Sequence, residues 1–281
     1  VAALIALIPL AVASAFQVEI VTDADGRVIR RPEEGPGGVS APGPIQRARA
    51  VTEEFTSALP DFVCDQLTWR NTSDSRPVKW RVRDRVTAEV LYVEGQESYR
   101  NVLVNGKRPK GDDPHLTGTW STGEYGTTLK DVLAASTGAR FQFVQDSQMN
   151  GRLVKKFDYQ VDRRRSHWRV VFTGMTLYPA YEGSIWIDKE SFRLLRLEMI
   201  ARDVPPAYPL DIIQMTIDYG QVIIAGQSYL LPVRAENLAC ERLSLACSRN
   251  ETEFRNYRRF TAESTVTTTD STITFEGVKK Q

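Results

Sequence analysis

The stretch WRVRDRVTAEVLYV, residues 80–93, alternates over its whole length. Trp80, Val82, Val86, Ala88, Val90 and Tyr92 fall on one side of an extended chain, and Arg81, Arg83, Arg85, Thr87 and Glu89 on the other. Successive side chains of a strand point to opposite faces, so the spacing predicts a long strand with one apolar and one solvated side. EGQE is the turn after it, and SYRNVLV the returning strand. Asn105-Gly106 is a tight-turn signal, because both residues tolerate positive φ.

The same period of two extends in both directions. Upstream, FVCDQLTWRN opens the series at residue 62. Downstream, LVKKFDYQV puts Leu153, Lys155, Phe157, Tyr159 and Val161 on one face, and HWRVVFTG follows. EGSIWIDKESFRLLRLEMIA reads as a hairpin turning at Asp188-Lys189-Glu190. PPAYP is a rigid connector, and further strands turn near Ala225-Gly226. SRNETEFRNYRRF is the last clear strand. Two segments keep a helical period instead: IQRARAVTEEFTSALP, with Ile45, Ala48, Val51, Phe55 and Leu59 on one side, and TTLKDVLAAS, with Leu129, Val132 and Leu133 together and Gly138 as its stop.

The fold class expected is therefore mainly β (α+β), with about nine to eleven strands in an antiparallel meander. A sheet that large curls, closes or splits, and the two helices are placed to cover the mouth of a curled one. The 281 residues, 42% hydrophobic, suffice for a proper core. The net charge of +1 points to neither nucleic acid nor a strongly acidic partner.

The ends read differently from the middle. VAALIALIPLAVASA (1–15) is apolar and closes on Ala13-Ser14-Ala15, the pattern of a secretory signal cut before Phe16; the other reading is a buried N-terminal helix. The run is too short to span a bilayer, and no membrane span is expected once it is removed. Residues 16–44, rich in Gly, Pro and charge, read as a flexible leader, 45–260 as the folded domain, and 261–281 as a Thr-rich tail or edge strand. Export permits disulfides. Cys240 and Cys247 flank ERLSLA and form the preferred pair, leaving Cys64 over.

Signals for chemistry are sparse. Two histidines in the whole chain lower the prospect of His-based catalysis or a His-rich metal site. His115 lies beside Asp112 and Asp113 in GDDPHL, which is also ordinary loop composition. Arg163, Arg164 and Arg165 are three adjacent cations, suited to an anionic head group or to a solvated turn. There is no G-x-S-x-G, no phosphate-cradling Gly loop and no C-x-x-C, so no catalytic residue, metal or cofactor is expected. Asn71-Thr72-Ser73 and Asn250-Glu251-Thr252 fit the glycosylation sequon. Aromatics on or near strands, including Trp69, Trp80, Tyr92, Trp120, Trp168, Trp186 and Phe192, fit either a core or a ligand cavity.

The order of these elements, with EGSIWIDKESFRLLRLEM, GQSYLLP and VEGQESYRNVLVNGK among them, resembles the LolA/LolB-type lipoprotein carriers and the RseB/MucB sensor family. The likeness runs over residues 45–260 and lies in small motifs: Gly183, Ile185 to Asp188, Leu194, Arg196 and Leu197, and Tyr229 to Pro232. It implies an unclosed, highly curved antiparallel β-barrel with helices in its opening, holding acyl chains, lipoproteins or apolar peptide segments. The loop RPKGDDPHLTGTWSTGEYG and the Cys240/Cys247 loop have no counterpart in the carriers, nor is there a lipid-anchor cysteine.

The expectation is a non-enzymatic periplasmic or secreted protein that binds a lipid or lipoprotein acyl chain. Trp80, Val82, Val90, Tyr92, Trp186, Leu195 and Leu197 are the apolar wall, and Arg163, Arg164 and Arg165 are cations at its rim. The alternative is a structural or protein-interaction module of the cell envelope, its core filled, whose partner is an envelope protein. The two readings differ in whether the concave side is hollow.

Overall fold

The computed structural model describes residues 43–109 and 127–260. The signal-like run, most of the leader, the loop bearing Asp112, Asp113, His115 and Trp120, and the Thr-rich tail lie outside the described residues.

Helix α1 (Pro44–Ser57) starts where the chemistry asks for it. Pro44 occupies the first turn, where its missing N–H costs nothing, and the Gln46 side chain accepts the Gly43 N–H at 3.0 Å. Pro60 follows soon after its end. Strands β1 (Phe62–Ser73), β2 (Arg81–Val93) and β3 (Gln96–Val104) form a meander. Helix α2 (Thr127–Leu133) follows, five residues short of Gly138. Then come β4 (Arg140–Met149), β5 (Arg152–Val161), a single 3-10 turn at Arg163–Arg165, and the short ribbon of β6 (Val170–Phe172) and β7 (Met175–Leu177). The chain finishes with β8 (Ala180–Asp188), β9 (Leu194–Arg202), β10 (Leu210–Ile224), β11 (Gln227–Glu241) and β12 (Cys247–Arg259).

Ten of these strands make one antiparallel sheet in the order β3-β2-β1-β12-β11-β10-β9-β8-β5-β4, and it is not closed into a barrel. Strand β4 escapes the sequence reading. Its turn does carry a signal, because Asn150 and Gly151 both take positive φ, as Asn105 and Gly106 do. Strands β3 and β4 follow one another among the strands of the chain yet form the two edges, so the connection that carries α2 links opposite sides of the sheet.

The sheet curls. Helix α1 places Arg49 over the Phe141 ring on β4 and packs Phe55 against Tyr229 on β11. Those strands are five apart in the sheet order, roughly 24 Å if it were flat. Residues 49 and 55 are only about 9 Å apart along a helix. A curled sheet brings both rings within reach.

The β8–β9 turn is fixed by one carboxylate. Asp188 accepts hydrogen bonds from the Ser191 N–H and Oγ, each at 2.7 Å, and from Arg152 Nε at 2.8 Å. Burial resists its ionisation, but the Ser191 donors and the Arg152 guanidinium outweigh that and hold the carboxyl below the usual range. A folded-state pKa below the unfolded value of about 3.9 contributes stability above that value, lost as pH falls through the folded one. Asp188→Asn is expected to cost about 2 kcal/mol at neutral pH. Urea titrations from neutral pH down to about pH 3 should show the difference from wild type shrinking with acid; a constant difference would contradict the linkage.

Candidate functional site

Even-numbered residues point to the concave side from Phe62 to Arg70 of β1 and from Asp84 to Tyr92 of β2. Phe62, Cys64, Val90 and Tyr92 join the main buried cluster there, with Phe157, Tyr159, Ile185, Leu197, Met199 and Ile217 from the other half of the sheet. Phe62 stacks on Tyr92 with ring centroids 5.0 Å apart. Cys64 is buried among them and is not part of the disulfide, which joins Cys240 to Cys247 as the spacing suggests.

The proposed wall residues divide. Val90 and Leu197 are fully buried, and Tyr92 and Leu195 nearly so. The other three stand elsewhere. Val82 is 67% exposed, because the pairing of β1 with β2 shifts between Arg70 and Asn71 and the start of β2 leaves the core. Trp80 is half-buried beneath the Arg249 guanidinium, 4.7 Å from its ring centre. Trp186 faces the opposite side of the sheet from Ile185 and Ile187, between Lys156 and Arg196. On that convex side, Arg196 bonds Glu198 at 2.9 Å and Asp218 at 2.8 Å.

The apolar half of the concavity is filled. Over it lie α1, with Ala48 and Thr52 fully buried and Ile45, Phe55 and Leu59 partly so, and α2, with Leu129, Val132 and Leu133 buried. The helices are joined by Arg49 Nε donating to the Leu133 carbonyl at 2.6 Å. Arg47 lies over Phe192 and Arg193 over Phe55. One cleft of about 290 Å³ opens on the convex side, between Asp65, Leu67, Thr87, Glu89 and Asn256, and another of the same volume borders the buried cluster at Ile224 and Tyr229, beside Pro60 and Arg259.

The other half of the concave face is polar. Gln66, Thr68, Arg70, Asn250 and Thr252 are all buried. Gln66 bonds Thr68, which pairs across to Thr252 at 3.0 Å. Arg70 grips Asp84 through Nε at 2.5 Å and Nη2 at 2.7 Å. Asp84 has the same parity as Val86, Ala88 and Val90, so a carboxylate breaks the apolar row of β2. That break is the signal for a buried cation opposite, which alternation by itself passes over. The two sequon asparagines, Asn71 and Asn250, are buried, so neither offers its amide to a glycan.

Arg163, Arg164 and Arg165 are exposed, in the 3-10 turn after β5. Close by, the imidazole of His167 meets Asp131 of α2, with Nδ1 2.6 Å from Oδ1. Among the described residues, no group of three His, Cys, Asp or Glu is placed to hold a metal ion. No helix among them is long and apolar enough to cross a membrane.

Arg49→Ala is expected to remove the tie between the helices at a cost of about 1 kcal/mol and to raise hydrogen exchange in α1 while β8–β10 stay protected. Unchanged exchange in α1 would mean that the helix is held elsewhere.

No protein-family model and no curated protein matches the chain. Several solved structures do. A domain named for outer membrane lipoprotein sorting, from Vibrio parahaemolyticus, is 12% identical, with 76% of this chain and 92% of that chain covered and a TM-score of 0.39. A LolA superfamily protein from Nitrosomonas europaea is 10% identical over 76% of this chain and 94% of its own, at a TM-score of 0.34. MucB is 10% identical over 80% of this chain and all of its own, at a TM-score of 0.25.

Proposed function

We propose that the protein is a non-enzymatic binding protein of the periplasm or extracellular space that takes up a lipid or lipoprotein acyl chain beneath α1. The observation that carries this reading is the contrast between wall and cover. The wall is continuous, apolar and fully buried at Val90, Ile185, Leu197 and Ile217, whereas α1 buries only Ala48 and Thr52 completely. A helix so lightly anchored opens at lower free energy than the strands beneath it. An acyl chain that replaces it regains roughly 0.8 kcal/mol per buried methylene, with little need for polar contacts. Leaving the apolar wall to water would be the larger cost, so an opened state favours an apolar guest.

The filled core supports a second reading, an envelope interaction module with no small ligand. Native mass spectrometry on the mature chain, exported to a periplasm and purified without detergent, separates the two. A bound mass that is lost on activation and identified as lipid is the expected result, with faster uptake of added fatty acid by the Arg49→Ala variant. A clean unliganded mass that takes up neither fatty acid nor lipopeptide would transfer the assignment to the interaction module.

A further inference from the structure

We propose that the tip between β11 and β12, together with the neighbouring β1–β2 connection, is a docking surface for an anionic lipid bilayer. This surface is separate from the concave wall and does not depend on a cavity.

At the tip, Leu243 is 97% exposed and Leu245 half exposed. Their exposure is not that of a loose loop. The Cys240–Cys247 disulfide closes the stem, and the Glu241 N–H donates to the Ala246 carbonyl at 2.9 Å. Arg242 points away from the tip and donates to the carbonyls of Val204, Pro205, Tyr208 and Leu210. The stem therefore holds a large apolar side chain out in water, where it has nothing to pack on.

The β1–β2 connection joins the same surface. Arg76 Nη1 donates to the Leu245 carbonyl at 3.1 Å, and Val78 and Val82 are exposed nearby. The charge around these apolar groups has one dominant sign. Arg76, Lys79, Arg81, Arg83 and Arg249 stand around them: Arg81 is paired with Asp74 at 2.8 Å and Arg249 with Glu251 at 3.2 Å, while Arg83 lies 3.7 Å from Asp84, which Arg70 already holds, and Glu241 accepts the Ser244 hydroxyl. Lys79 is exposed and meets no carboxylate among the described residues.

A bilayer of anionic lipids supplies both missing partners. Its headgroup layer attracts the cations, and its acyl boundary accepts the leucines. The surface is a protrusion rather than a groove, and a deformable boundary receives a protruding side chain without a preformed pocket.

Flotation of the full chain with vesicles tests this. Binding is expected to vesicles of phosphatidylglycerol with phosphatidylethanolamine at about 0.15 M salt, to weaken as salt rises, and to be at least about tenfold weaker with phosphatidylcholine alone. Leu243→Ser with Leu245→Ser should weaken it by about tenfold with the thermal unfolding midpoint little changed, since Leu243 is almost wholly and Leu245 half in water. Lys79→Glu should reduce the preference for anionic vesicles. Absence of binding to the anionic vesicles, or leucine variants that bind as well as wild type, would overturn the proposal.

Discussion

Arg70→Met is expected to destabilise the protein by about 3–5 kcal/mol, the largest loss from any single substitution considered. The Arg70 side chain is 4% exposed and that of Asp84 10%, and the two share a bidentate contact. Removing the guanidinium leaves the buried carboxylate with only the half-exposed Arg83, whose Nε stands 3.7 Å away, in place of a bidentate partner. The cost comes mostly from that stranded charge rather than from the attraction lost, so the double change Arg70→Met with Asp84→Leu should recover most of it. Urea unfolding of the two single variants and the double variant closes the cycle. A loss below about 1 kcal/mol for Arg70→Met would show that water or another group reaches Asp84.

Gly183→Ala is the second large effect, about 3 kcal/mol, or a drop of about 6–12 °C in the unfolding midpoint for a domain of this size. Gly183 lies opposite Tyr159 on the inner face of β8. A Cβ at this position would run into the Glu198 carbonyl of β9, with the carbonyl carbon 2.7 Å away. The obstacle is backbone and cannot swing aside as a side chain would. The same carbonyl accepts the Tyr159 hydroxyl at 2.8 Å. Complete burial pushes that phenol well above its ordinary pKa, so it stays a donor. The methyl group therefore drives β8 from β9 and disturbs the Tyr159 bond together. A midpoint within about 2 °C of wild type would mean that the two strands separate at little cost.

How far the sequence discloses this arrangement differs from strand to strand. In β2 the alternation is legible because polar and apolar residues take turns, and from Val86 to Tyr92 each falls where alternation puts it. In Ile185-Trp186-Ile187 all three residues are apolar, so nothing in the local pattern fixes which side Trp186 takes. Its place between Lys156 and Arg196 depends on neighbouring strands. Strand β4 is an edge, largely exposed on both sides, and without a buried face it lacks the apolar alternation that marks its neighbours. The Cys240–Cys247 bond is legible because it closes across a short turn. The Arg70–Asp84 pair spans a turn whose register shifts by one, and only the odd carboxylate in an apolar row betrays it. The two helical segments make the cover over the wall legible. That it fills the concavity is a matter of packing, which periodicity does not report.

The sheet order has a consequence for how the chain reaches its native state. Strand β1 finds one neighbour, β2, nearby, but its other neighbour is β12, with Phe62 aligned to Arg259. Nearly the whole domain must be synthesised before that pairing can form. Contacts so distant in sequence are slow to close, and until they do, the first three strands present an open flank to other chains. One edge of β1 therefore stays unpaired until the last strand of the domain arrives to cover it.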